Sequence, residues 1–334
     1  MGRILFIGSF LSKKSGTLGV SENLARKLQL NKVDIRLASR FKNKKLRLLS
    51  IIAASLTLRY DRMHIDTFSG NAFRIAETAS TIARFRKKRI ILTLHGGKLP
   101  EFYLQYPNRV KRVLNRAEWV QTPSKYLQTF FEKQNINIQY LPNSIDLARF
   151  PYERSFVIPH TLLWVRAFSD VYNPELPVLT LFELIKTFPD TILTMVGPDK
   201  GLMNKVKKII EDLNLEDFVK ITGPIKNEEL FKFYQTHAVF LNTTSYESFG
   251  VAVLEAAACG IPIVSTKVGE IPLLWKNEEN ILLAEQIDAN SFAKQISRLF
   301  TDTELSNTLS LNARKNAEQF EWDLLKNHWI NLLS

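Results

Sequence analysis

VFLNTTSYESFGVAVLEAAACGIPIVS, residues 239–265, is the stretch that decides the fold. Its apolar start, 239–242, reads as a strand, a polar loop follows, an Ala-rich helix begins near Val251 and runs to 258, and 262–265 reads as a second strand. A strand, a helix and a strand in that order return the chain to the same edge, which requires a parallel sheet. Working outward, the same alternation recurs through the C-terminal half, with strands expected at 162–165, 192–196, 219–222 and 281–283 and helices near 175–188, 201–213, 227–235 and 289–300. The N-terminal half repeats the pattern, with strands at 4–8, 34–38, 64–68, 90–94, 119–122 and 139–141. Between the halves, Pro142 and a Pro-containing stretch reaching Pro159 break the periodicity. The 334 residues are enough for two cores of ordinary size. The expected architecture is α/β: two doubly wound parallel-sheet domains of Rossmann type, residues 1–150 and 151–316, facing a central cleft in which ligands bind beyond the strand ends.

The loop of the opening stretch carries Glu247 and its helix carries Glu255. A loop that feeds a helix start presents unpaired backbone N–H groups and the positive end of the helix dipole, which suits a phosphate. Ser248, Phe249, Gly250 and Val251 are therefore expected to cradle a diphosphate, Gly250 allowing close backbone approach. Glu255, one turn into the helix, is placed to take the two adjacent hydroxyls of a ribose, and Glu247 to face a sugar. Arg166, at the end of the first C-terminal strand, is suited to neutralising a leaving diphosphate. In the N-terminal half, Gly16 and Gly19 precede a helix and offer backbone N–H groups to a donor phosphate or an acceptor; they do not form G-x-G-x-x-G. His95 ends the fourth strand, where a side chain projects beyond the sheet and can hydrogen-bond a ligand.

Glu247 and Glu255, with Ser248-Phe249-Gly250, Glu255-Ala256 and Cys259-Gly260-Ile261-Pro262-Ile263-Val264 around them, resemble the E-x7-E signature of retaining glycosyltransferase family 4 (GT4, the glycosyl transferases group 1), whose fold is GT-B. The resemblance extends to Leu141-Pro142-Asn143-Ser144-Ile145-Asp146 with Phe150, similar to that family's interdomain linker, and to Val268-Gly269-Glu270-Ile271-Pro272. It implies that Glu255 binds the nucleotide ribose, that Glu247 contacts the donor sugar, and that His95 in Thr93-Leu94-His95-Gly96 reaches the sugar near the reacting carbon. It also implies that the strand-end loops at Gly197 and Ile225 flank the nucleotide base. Most members carry a Lys shortly after the Arg equivalent to Arg166; residues 169–177 contain none, and Asn173 is the neutral donor available there. The final segment, 317–334, is expected by resemblance to return to the N-terminal domain.

The implied activity is transfer of a sugar from a nucleotide sugar, UDP- or GDP-linked, to a saccharide or lipid-linked acceptor, with retention of configuration and in the setting of bacterial surface polysaccharide or lipopolysaccharide synthesis. No cofactor is expected beyond the nucleoside-diphosphate sugar as co-substrate, and no metal: the five histidines are scattered and no Asp-x-Asp occurs. Two rival readings are a catalytically weak GT-B-fold binding protein and a Rossmann isomerase or dehydrogenase acting on sugar nucleotides.

Charge adds a partner class. The net charge is +12, yet residues 1–155 hold 29 Lys and Arg against 10 Asp and Glu, whereas 156–334 hold 16 against 23. A basic half points to an anionic partner, for which nucleic acid, a phospholipid surface and a phosphorylated acceptor are the candidates. The runs 40–47 and 84–89 raise a nucleic-acid-binding reading, but no nucleic-acid motif accompanies them and none is expected to bind. An anionic membrane surface is the alternative, with residues 40–47 leading into the apolar stretch 48–58, itself expected to be buried at the sheet edge. No span is long enough to cross a bilayer, and residues 3–8 are too short for a signal segment. The expected location is cytoplasmic, with peripheral attachment at the inner membrane face. The single cysteine, Cys259, excludes an internal disulfide.

Overall fold

The structure, a computed structural model, describes residues 2–11, 19–96, 98–154 and 156–333. The chain forms two units, one comprising 1–144 with 322–334 and the other 145–321. In the first, β1 (Ile4–Ile7), β2 (Ile35–Ala38), β3 (Arg62–Thr67), β4 (Arg89–Leu94), β5 (Trp119–Thr122) and β6 (Gln139–Tyr140) make one sheet in the order β2-β1-β3-β4-β5-β6. All of its pairs are parallel. The period of two sorts the side chains: Ile4 and Phe6 pack with Trp322, Trp329 and Leu333 of the last helix, Trp322–Leu333. Leu5 and Ile7 face the opposite way, into a core with Ile51, Phe73 and Ala76.

The second unit contains β7 (Ile158–Val165), β8 (Ile192–Val196), β9 (Val219–Gly223), β10 (His237–Asn242), β11 (Ile263–Ser265) and β12 (Leu282–Leu283), ordered β12-β11-β10-β7-β8-β9 and again all parallel. The chain leaves β7 in one direction through β8 and β9, then crosses to its other side for β10. The sheet therefore reverses order between β7 and β10, and a doubly wound sheet opens its ligand crevice at such a switch point, beyond the carboxyl ends of the strands. Alternation is kept here too. Leu163 and Phe240 join the core beneath the helix Val251–Cys259, while Leu162, Trp164, Val239 and Leu241 join the core on the other face.

The unit boundary falls at Ser144/Ile145 rather than 150/151 because the backbone N–H of Ile145 donates to Phe320 O at 2.8 Å and that of Leu147 to Glu321 Oε2 at 2.9 Å. These bonds hold the first linker residues on the second unit. The helix Lys44–Thr57 corrects an expectation of burial. Only Ile51 and Ser55 are buried, while Leu46, Leu49 and Leu56 stand 50%, 61% and 50% exposed. Among the described residues, no helix is long and apolar enough to cross a membrane.

Candidate functional site

The carboxyl ends of β7 and β10 place Arg166 and Asn242 on either side of the switch point. Arg166 Nη2 donates to Glu247 Oε2 at 2.6 Å and to Asn242 Oδ1 at 2.9 Å, and the guanidinium lies 5.1 Å from the Tyr172 ring centroid. Asn242 is fully buried and is itself oriented by donating to Ser265 Oγ at 2.9 Å. Both charged side chains of the Arg166–Glu247 pair are only 10% exposed. A pair this far from water is held by geometry, since removal of one partner strands the other. Arg166 Nε is buried with no hydrogen-bond partner among the described residues, so the guanidinium keeps an unused donor.

Glu247 does more than pair with Arg166. Its Oε1 accepts from the backbone N–H of Ser248 at 3.1 Å and of Phe249 at 3.5 Å, and its carbonyl accepts from Glu270 N at 2.9 Å. Two amides that the sequence reading assigns to a phosphate are thus already directed at a carboxylate, as befits an anion-seeking turn. The helix Val251–Cys259 follows, with Gly250 as its N-cap residue and no side-chain cap among the described residues, so its first-turn N–H groups receive no side-chain acceptor. Gly250 has φ +88°, and a Cβ there would lie 3.2 Å from Ile271 Cδ1, so the turn that aims these amides needs glycine. Phe249 turns its side chain into the core, 5.6 Å from the Phe320 ring, and offers the site backbone only.

Glu255 lies one turn into the helix, and its Oε2 accepts from the hydroxyl of the buried Tyr234 at 3.2 Å. Burial pushes its carboxyl up to about 7, against the Tyr234 hydrogen bond and the positive charges of Arg166 and Arg149, which favour ionisation. The same burial, with Glu255 beside it, raises the Tyr234 phenol well above its ordinary value. Asn173 follows the short turn Asp170–Tyr172 and has φ 46°, a conformation Asn tolerates. That turn is fastened to the loop before Glu247: Ser245 N donates to Val171 O at 2.8 Å and Thr243 Oγ1 to Tyr172 O at 2.8 Å.

Gly197, just past β8, sits where a Cβ would fall 1.8 Å from the carbonyl oxygen of Arg166. No side chain fits there, because the backbone of β7 passes directly alongside; Arg166 N donates to Val196 O at 3.0 Å. Ile225, beyond β9, is half-buried against the core that the Glu255 helix covers, and Val251 packs on the same core. The structure therefore brings Arg166, Glu247, Ser248, Phe249, Gly250, Val251, Glu255 and Asn173 to one end of the second sheet, with Gly197 against Arg166. Asn242, Tyr234 and Tyr172 complete it and were not foreseen. Lys226 is exposed.

His95 and Gly19 belong to the first unit, and Gly16 lies outside the described residues. His95, just past β4, donates from Nε2 to Asp66 Oδ1 at 3.2 Å and stacks on Phe68 at 5.2 Å between ring centroids. Asp66 on β3 is buried. Burial opposes its ionisation, but the hydrogen bond and charge of His95, with help from His64 and Ser21, outweigh that and hold the carboxyl below its ordinary value. Gly19 is the exposed N-cap residue of the helix Val20–Leu30, and Lys98 is likewise exposed. Among the described residues, no three His, Cys, Asp or Glu side chains cluster as a metal site. Cys259 is buried, its thiol pushed up to about 12 by desolvation.

Comparison with known proteins gives consistent relatives. Residues 156–316 match the family model described as glycosyl transferases group 1. The chain is 25% identical over 292 residues to a D-inositol 3-phosphate glycosyltransferase of Acidothermus cellulolyticus, covering 79% of this chain and 64% of that protein. It is 26% identical over 250 residues to the N-acetyl-alpha-D-glucosaminyl L-malate synthase of Bacillus anthracis, covering 70% and 64%. The matched stretch thus spans less than two thirds of these relatives. Among solved structures, sucrose-phosphate synthase from Thermosynechococcus elongatus superposes with a TM-score of 0.79 at 17% identity, covering 99% of this chain and 98% of that one. Anabaena HepE in complex with UDP-glucose superposes with a TM-score of 0.78 at 18% identity, covering 100% and 99%. Likeness at this identity fixes the fold, which is GT-B.

Proposed function

We propose, from the match of residues 156–316 to the glycosyl transferases group 1 model, that this protein moves a sugar from a nucleoside-diphosphate sugar to a saccharide or lipid-linked acceptor. The observation that carries the reading is the convergence of Arg166, Glu247 and the amides of 248–249 at the switch point of the second sheet. Transfer builds positive charge on the anomeric carbon and negative charge on the departing phosphate, so the site must stabilise both. Arg166 and the first-turn N–H groups of the helix Val251–Cys259 serve the phosphate side. Asn173 is the neutral donor nearest that role, and the unused Nε of Arg166 adds one more. Glu255 takes the ribose hydroxyls, and the backbone at Gly197 and Ile225 borders the base.

Glu247 serves the sugar side, and its present bonds explain how. Its carboxylate occupies the partners a diphosphate needs, so donor binding exchanges one anion for another and frees Glu247 to turn toward the sugar. The reaction assigned is retention by same-face attack, with the departing phosphate accepting the acceptor proton; no carboxylate stands out as a nucleophile and no metal is invoked. His95, oriented by Asp66 within the first unit, keeps the role toward the donor sugar that the family resemblance implies for it. The HepE structure holds UDP-glucose, which favours a UDP-sugar as first donor to try. The basic N-terminal half fits a cytoplasmic enzyme working at an anionic membrane surface, as in assembly of bacterial surface polysaccharide. Glu247→Ala tests the reading: sugar transfer is lost while nucleotide affinity stays within a few-fold. Retained transfer would refute it.

A further inference from the structure

The helix Lys44–Thr57 presents two faces. Ile51 and Ser55 point inward, whereas Leu46, Leu49, Ala53 and Leu56, spaced three or four residues apart, form one exposed stripe. An apolar stripe on the outside contributes nothing to the core. The charges around it are of one sign: from residue 35 to residue 60 the chain contains Arg36, Arg40, Lys42, Lys44, Lys45, Arg47 and Arg59 and no Asp or Glu. Lys44 and Lys45 even occupy the first helical turn, where the dipole favours acids and none is present. The helix still starts cleanly, because Asn43 Oδ1 accepts from Lys45 N at 2.9 Å and Leu46 N at 3.2 Å.

The far end of this helix meets the second basic run. Arg86 Nη1 donates to Ser55 O at 2.7 Å and to Leu58 O at 3.0 Å, fixing residues 84–89 against the helix C-terminus. Arg84, Lys87, Lys88 and Arg89 there line a cavity of about 580 Å³ with Arg116 and a single acid, Glu118, which pairs with Arg89 at 3.5 Å, and Phe85 beside them is 83% exposed. The exposed leucine stripe thus lies on a helix with cations at both of its ends, and the second cationic run carries an exposed aromatic ring. That is the make-up of a helix that lies in the plane of a lipid interface, apolar side down and cations at the headgroups.

We propose that the outer face of the helix Lys44–Thr57, continued by residues 84–89, is the surface by which this protein docks on an anionic bilayer. This rests on the reading of the N-terminal unit as facing a membrane and assigns the residues that do so. The full chain is sedimented with vesicles of phosphatidylcholine alone and of phosphatidylcholine mixed with phosphatidylglycerol, beside a Leu49→Glu/Leu56→Glu variant and a Lys44→Glu/Lys45→Glu variant. The expected result is binding to the mixed vesicles only, weakened about tenfold or more by the leucine changes and roughly fivefold for each cation removed.

UDP-sugar affinity, measured in solution on the same samples, stays at the wild-type value if the variants are folded and reports on the donor site separately. Wild-type binding that both variants retain would overturn this assignment while sparing the membrane reading. Equal binding to neutral vesicles, or to none, would overturn both. Light scattering that shows a dimer dissolved by Leu49→Glu/Leu56→Glu would give the stripe to a second copy of this chain and overturn the proposal.

Discussion

Glu255 makes the proposed donor site sensitive to pH in a direction that can be worked out. Its carboxyl titrates at about 7 in the folded chain against an ordinary 4.5, chiefly through desolvation. At ~1.4 kcal/mol per pH unit, that gap puts the cost of the buried carboxylate at about 3 kcal/mol. The sign follows from the raised value: below 4.5 both states are protonated and there is no cost, the cost grows as pH rises from there, and above about 7 it is complete. In the proposed site the ribose hydroxyls donate to the ionised carboxylate, so donor binding selects the form that folding disfavours. Affinity for a UDP-sugar is then full above pH 8 and falls by close to tenfold per pH unit below about 7, roughly thirtyfold by pH 5.5. The assay is titration calorimetry with UDP-glucose, whose diphosphate has no ionisation in this window, on wild type and Glu255→Gln. The variant binds weakly at pH 8, shows a flat profile between pH 5.5 and 8, and gains stability at pH 8, with ~3 kcal/mol as the upper limit. A wild-type affinity independent of pH, or a variant with the wild-type slope, would refute the assignment of Glu255 to the ribose.

Other consequences are simpler to read. Arg166→Ala removes the phosphate-side charge and strands Glu247, so kcat falls by ~10²-fold or more and chemical denaturation records a loss of about 3 kcal/mol. Gly197→Ala forces a Cβ to within 1.8 Å of the Arg166 carbonyl and lowers the melting temperature sharply; because this backbone borders the proposed base site, UDP-sugar affinity falls with it. Asp66→Asn weakens the hold on His95; kcat falls while UDP-sugar affinity stays at the wild-type value, a separation that loss of folding would not produce.

Much of this was legible in the sequence, and the reasons differ by feature. The alternation of apolar strands and amphipathic helices placed both sheets, because parallel strands buried on two faces leave long apolar runs. The Glu247–Glu255 spacing was visible because one short loop and one helix turn carry it. Asn242, Tyr234 and Asp66 were not, since each reaches its partner across the fold: Tyr234 and Glu255 are 21 residues apart, and Asp66 and His95 are 29 apart on neighbouring strands. The need for glycine at position 197 appears only once the backbone of Arg166 runs beside it. The exposed leucines of the helix Lys44–Thr57 defeat periodicity altogether, since a stripe spaced three and four apart looks the same whether it meets a core or a lipid surface.

The proposed grip of this turn and helix on an activated sugar is best tested by crystals grown with a non-hydrolysable UDP-sugar. The expected result is diphosphate density at the N–H groups that open the helix Val251–Cys259, the ribose within hydrogen-bond reach of Glu255, and Glu247 released from Ser248 N. A nucleotide bound elsewhere, with Glu247 still closed on Ser248 and Phe249, would contradict it.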